Sequence, residues 1–152
     1  MSLPYETATS GKRALVDIER TLREFGCSKF GTWFDYEGAT LEIQFQVGKR
    51  SVCLRASASG YAAAWLRKHP YTSRMRSTLA QHQQKASQIA EMAIYSILRD
   101  WIKGQVTAIE SGLMSFEAAF MPHLMLPNGQ RILDVVHKKF PELVTPMLEH
   151  DS

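Results

Sequence analysis

The stretch Lys29-Phe-Gly-Thr-Trp-Phe-Asp-Tyr-Glu-Gly-Ala-Thr-Leu-Glu-Ile-Gln-Phe-Gln-Val-Gly-Lys-Arg-Ser-Val-Cys-Leu-Arg-Ala56 decides the fold. Phe30, Thr32, Phe34 and Tyr36 fall on one side of an extended chain, and Leu41, Ile43, Phe45 and Val47 then alternate with Glu42, Gln44 and Gln46. A period of two with polar residues in between marks strands that are wet on one face. Tyr36-Glu37-Gly38-Ala39 and Gly48-Lys49-Arg50 supply turns, and Ser51–Ala56 gives a third strand with Val52 and Leu54 inward, so a three-stranded antiparallel meander is predicted. The outward positions change from Glu42, Gln44 and Gln46 to Ser51, Cys53 and Arg55, which sets Arg55 beside the glutamines. Trp33 has the opposite parity to Phe34; it either seals an interface or lies beneath the N-terminal helix, and the second is expected.

Before the strands, Leu15, Ile18, Leu22 and Phe25 recur at helical spacing, with Thr9 and Ser10 as caps and Gly26 as the stop, predicting a helix over 11–25. After them, Gly60–Lys68 reads as a short helix that Ser59 can cap and Pro70 ends. A loop follows at Pro70–Ser73. From Ser73 or Arg74 a helical pattern runs to Ser111, where Gly112 terminates it and Gly104 is its weak point. The polar half before Lys85 either extends as an arm or forms a loop with a separate short helix. Ser115 caps a turn at Phe116–Phe120, Asn128-Gly129 marks a tight turn, and helices follow at Ile132–Lys139 and Glu142–Leu148. The expected architecture is one α+β domain over residues 1–152, with 1–9 a flexible tail. The meander packs on the N-terminal helix and a long C-terminal helix, closed by a short helical corner.

The chain has 152 residues, 45% hydrophobic and 22% charged, enough apolar material for one unaided core. No apolar run approaches about 18 residues and the first residues lack a signal peptide's apolar stretch, so a cytoplasmic protein without membrane association is expected. The charges are unevenly spread. Of 18 basic residues, Lys49, Arg50, Arg55, Arg67, Lys68, Arg74, Arg76 and Lys85 lie between Glu42 and Glu91, where none of the 15 acids occurs. Tyr61, Trp65, His69, Tyr71 and His82 are interleaved with them, along with Gln81, Gln83 and Gln84. Cations with aromatics suit phosphate contact and base stacking; a solvated basic face answered by acidic neighbours, or by another subunit, is the plainer alternative.

Few residues suggest catalysis. Glu110, Glu117 and His123 form the one grouping that resembles an acid/base or metal constellation, with Glu117 equally suited to a helix N-terminus. No HExxH, GxSxG, P-loop, GxGxxG or zinc-spaced Cys/His set occurs. Cys27 and Cys53 read as small packing groups with no imidazole nearby in sequence, and Asp35 with Glu37 as ordinary acids at a turn. No cofactor, metal site or catalytic residue is assigned. Met114, Met121, Met125 and Met147 suggest adaptable packing or a deformable partner surface.

The segment from Ala90 to Asp134, through Leu98-Arg99-Asp100-Trp101-Ile102-Lys103, Ala108-Ile109-Glu110-Ser111-Gly112, Ser115-Phe116-Glu117 and Phe120-Met121-Pro122-His123-Leu124-Met125-Leu126-Pro127-Asn128-Gly129, resembles small uncharacterised proteins of tailed bacteriophages and prophages. The resemblance implies phage or prophage origin and cytoplasmic action during infection, and carries over no catalytic residue. The expected function is a non-enzymatic nucleic-acid-binding accessory protein. Its phosphate contacts would come from the eight cations, with Trp65 or Tyr71 available for stacking. The alternatives are an interaction module docking an acidic host-protein surface, its long helix making a homodimer seam, and a small hydrolase using Glu110, Glu117 and His123.

Overall fold

The structure, a computed structural model, describes residues 2–144. The meander forms as its alternation predicts: β1 (Lys29–Asp35), β2 (Thr40–Val47) and β3 (Arg50–Ser57) pair antiparallel in that order, leaving β1 at one edge. The register aligns Phe30, Phe45 and Val52, then Thr32, Ile43 and Leu54, then Phe34, Leu41 and Ala56, on the inner face. The outer ranks are Trp33, Glu42 and Arg55, then Gly31, Gln44 and Cys53.

The inner face is covered by helices. Ala14, Ile18 and Leu22 of α1 (Arg13–Phe25) and Ala90, Ile94 and Ile102 of α3 (Leu79–Glu110) share one core with Leu41, Ile43, Phe45, Val52 and Leu54. Between β3 and α3 runs α2 (Ala58–Lys68), packed along α3. Phe116 and Phe120 of α4 (Phe116–Phe120) close the far end, with Phe120 edge-on to Phe45 at 5.5 Å.

The starts of α2 and α3 differ from expectation because a better capping residue lies nearby, whereas the start of α1 shifts without one. Gly26 stops α1 in the left-handed region at φ 108°, and the N–H of Cys27 reaches back to the Leu22 carbonyl. At its start neither Thr9 nor Ser10 serves as the cap; α1 begins two residues later than predicted, after Lys12. Ser57, rather than Ser59, caps α2 by accepting from the Gly60 N–H. The long helix begins at Leu79 instead of Ser73 or Arg74, because Thr78-Leu-Ala-Gln81 completes a capping box. It passes Gly104 without a break.

Leu124–Leu126 lies along β3, where the Met125 N–H donates to the Ser51 carbonyl, and the Asn128-Gly129 turn leads into α5 (Ile132–Lys139). Asp134 of α5 takes Arg131 at 3.0 Å and Arg55 at 3.7 Å, while Arg55 also reaches Glu42 at 3.1 Å. This clip covers part of the outer face, which is why Cys53 is buried there. Of the helix predicted over Glu142–Leu148, a 3-10 turn forms at Pro141–Leu143, and Met147 and the positions beyond Val144 lie outside the described residues.

One expectation is overturned. Trp33 does not lie beneath the N-terminal helix: α1 covers the inner face, whereas Trp33 shares the outer rank with Glu42 and Arg55, 58% exposed, its indole folded over Gly31. In the segment expected as a tail, Pro4, Tyr5 and Glu6 make contacts that lay it on the helices as a strap. The Tyr5 hydroxyl donates to Asp100, the Tyr61 hydroxyl donates to the Pro4 carbonyl (both 2.6 Å), and Glu6 pairs with His69 at 3.1 Å.

Candidate functional site

Helix α2 ends at Lys68 because Pro70 cannot continue it, and the chain crosses to Thr78 before α3 begins. Tyr71 folds this connection inward by donating its hydroxyl to the Ser77 carbonyl at 3.0 Å. Flanking it in the chain are Arg67 and Lys68 from the last turn of α2, Arg74 and Arg76 from the connection, and Lys85 from α3, all exposed. Among the described residues no carboxylate lies within 4.0 Å of any of the five. The first turn of α3 holds no acid either.

Beneath this basic end lies an aromatic cluster. Trp65 packs against the His69 ring at 4.5 Å and the His82 ring at 5.1 Å, and His82 contacts Tyr71 at 5.8 Å. The buried His82 is held by its Nε2 at 2.6 Å from the His69 carbonyl oxygen. Glu6 anchors the strap to the same cluster. The Leu3 backbone N–H first, then His69, hold its carboxyl below the usual carboxylate range. The Trp65 indole N–H helps keep Glu6 ionised without completing a hydrogen bond of standard geometry.

The structure separates the ten residues expected at the nucleic-acid site. Arg67, Lys68, Arg74, Arg76 and Lys85 all stay exposed on the end of α2, the connection and the first two turns of α3, with the half-buried Tyr71 between them in the chain. Trp65 is no stacking platform: it is 4% exposed, and rings and the Lys85 ammonium, 6.0 Å from its centroid, cover it. Arg50 is committed elsewhere, its guanidinium 3.9 Å over Phe116 and bonded to Glu117 at 2.7 Å. Arg55 belongs to the clip between Glu42 and Asp134. Burial works to raise the Glu42 pKa, but hydrogen bonds from Gln44 and Arg55 hold it below its ordinary value. Lys49 sits exposed on the β2–β3 turn, at the opposite end of β3 from α2. The acid-free stretch therefore does not form one continuous positive face. Arg50 and Arg55 are answered by acidic neighbours, the plainer alternative: Glu42 at the edge of the stretch, and Glu117 and Asp134 far along the chain, which linear charge counting does not place beside them.

The suggested acid/base trio does not assemble. Glu117 takes Arg50, its own backbone N–H and that guanidinium lowering its pKa; Glu110 is exposed at the last residue of α3; and His123 packs edge-on to Trp101 at 5.6 Å. No hydrogen bond or ion pair joins the three, and no group of three His, Cys, Asp or Glu residues fit to hold a metal occurs among the described residues. Burial pushes the Cys53 thiol pKa up, which suits packing rather than nucleophilic attack. The Asp35 carboxylate accepts the Glu37 N–H at 3.0 Å, an ordinary turn contact.

Comparison with family models, with curated proteins and with solved structures gave no match. No helix among the described residues is long and apolar enough to cross a membrane.

Proposed function

We propose that the protein is a non-enzymatic, nucleic-acid-binding accessory protein acting in the cytoplasm, of phage or prophage origin as the likeness of residues 90–134 suggests. Its contact surface is the basic end formed by Arg67, Lys68, Arg74, Arg76 and Lys85. The observation supporting this reading is that five exposed cations on one helix connection and the helix ends flanking it have no carboxylate beside them among the described residues. Like charges so placed repel one another in the free protein, and a phosphate backbone relieves that repulsion while releasing its own counterions. Tyr71 offers the accessible aromatic edge beside them, and Gln83 and Gln84 add exposed amides on α3.

Gel-shift titration with unrelated oligonucleotides across a salt series tests the reading. Five phosphate contacts predict a log–log salt slope of about −4.5 on duplex and about −3.5 on single strands. The pair Arg74→Glu with Arg76→Glu abolishes retention and leaves the melting temperature unchanged, since neither side chain has a structural partner among the described residues. Unchanged retention by that pair removes the site. Absence of oligonucleotide binding, with capture of an acidic protein from nuclease-treated lysate that the same pair abolishes, assigns the basic end to a protein partner instead.

A further inference from the structure

Between α2 and α3, where β3 passes into α2, lies a groove of about 460 Å³, within the size range of small-molecule sites. Its origin is visible in α2. Gly60 and Ala64 stand one helical turn apart on the stripe facing the groove, too small to fill it, and Arg67 continues that stripe. Ile94, Ile97 and Leu98 of α3 form the opposite wall. None of the lining residues is acidic, and two are arginines, Arg55 and Arg67. Arg55 already shares its charge with Glu42 and Asp134, which leaves Arg67 as the cation open to a ligand.

Polar groups along the walls are already engaged. The Tyr61 hydroxyl donates to the Pro4 carbonyl, and the Ser57 oxygen takes the Gly60 N–H. A nucleobase or sugar placed here would leave its hydrogen-bonding edges unpaired, at a cost. A ligand apolar along its length and anionic at one end meets no such penalty.

We propose that this groove binds a single-chain alkyl carboxylate, its hydrocarbon laid over Ile94, Ile97 and Leu98 and its carboxylate paired with the Arg67 guanidinium. Planar guanidinium and carboxylate match in a two-pronged hydrogen-bonded pair. The groove shares Arg67 with the basic end, but its apolar walls are its own and the proposal does not depend on the nucleic-acid reading.

Calorimetric titration of the full chain with decanoate, decanol and decyltrimethylammonium tests the proposal. Decanoate binds one to one and at least about tenfold tighter than the cationic analogue, the scale of one charge-assisted hydrogen bond. Arg67→Glu, an exposed charge reversal that leaves the fold intact, inverts that preference. Ala64→Trp fills the groove and removes decanoate binding while retaining oligonucleotides. The Arg74→Glu, Arg76→Glu pair does the opposite, so the two sites fail independently. Equal affinity for anion and cation overturns the proposal, as does decanoate binding that survives both Arg67→Glu and Ala64→Trp. A concentration-dependent dimer that Ala64→Trp dissociates assigns the groove to a second copy of the chain and overturns it equally.

Discussion

Arg55 and Arg67 stand 12 positions apart in the same acid-free stretch, yet they have opposite fates. On β3, Arg50 and Arg55 are absorbed into the fold, one by Glu117 and Phe116, the other by Glu42 and Asp134. At the α2–α3 connection, Arg67 and its neighbours face outward over a buried Trp65. The difference lies in what the rest of the chain brings alongside. α4 and α5 close over β3 and carry acids there, whereas what packs beside the connection is the strap, whose Glu6 is turned to His69. Formal charge counted along a sequence therefore measures supply, and only tertiary pairing decides how much remains for a partner.

Substitutions on β3 and at the α2–α3 connection test this contrast. The largest effect is expected beneath the basic end: Trp65→Ala removes about 3–5 kcal/mol of stability in urea unfolding, as deletion of a buried indole does. Trp65→Phe keeps most of the packing, and its oligonucleotide affinity stays at the wild-type level; a tenfold loss with an intact fold would restore Trp65 as a stacking residue. On β3, Arg50→Gln costs about 1 kcal/mol of stability through the lost cation–ring and ion-pair contacts, which are partly exposed, while leaving nucleic-acid binding unchanged. A matching loss of oligonucleotide retention would mean that the two groups of cations act together after all.

The smallest effect is in the pH dependence. Burial, with Arg131 nearby, holds His123 below its ordinary pKa, so the unfolded chain binds the proton more readily than the native one. Its contribution to stability is complete above about pH 6.5 and is lost as the pH falls through the depressed native value. Replacing His123 with Phe flattens that limb of the stability–pH curve without changing oligonucleotide retention. Glu6→Gln acts lower, in the carboxylate range. Its native pKa is also depressed, so the strap's contribution is present above the ordinary glutamate pKa and is lost on acidification, which amide exchange at residues 3–8 would detect.

The meander was legible because alternation, turn chemistry and strand spacing agree over residues 29–56, and Ser115, Gly26 and Asn128-Gly129 gave their local signals unambiguously. The start of α3 was misplaced because polar composition says nothing of where a helix begins, while the Thr78–Gln81 pair does. Trp33 and the strap were missed for a common reason. A strand's parity shows that two residues face opposite ways but not which face the helices will cover, and a polar N-terminus gives no sign that Tyr5, Glu6 and Pro4 will find partners up to 95 positions away. The site was half legible: the five open cations stood in the sequence alongside those the fold consumes.

Strand β1 carries a further consequence. It has one hydrogen-bonded neighbour, β2, so alternate amides and carbonyls along its seven residues point outward from the end of the sheet. Such an open row of main-chain groups is a template on which a stray polypeptide can lengthen the sheet. Lys29 and Asp35 sit at its two tips, where charge discourages stacking of one molecule on the next. Neutralising both would leave an uncharged run from Phe30 to Phe34, and clumping at high concentration would then be the first sign of trouble, well before any loss of fold.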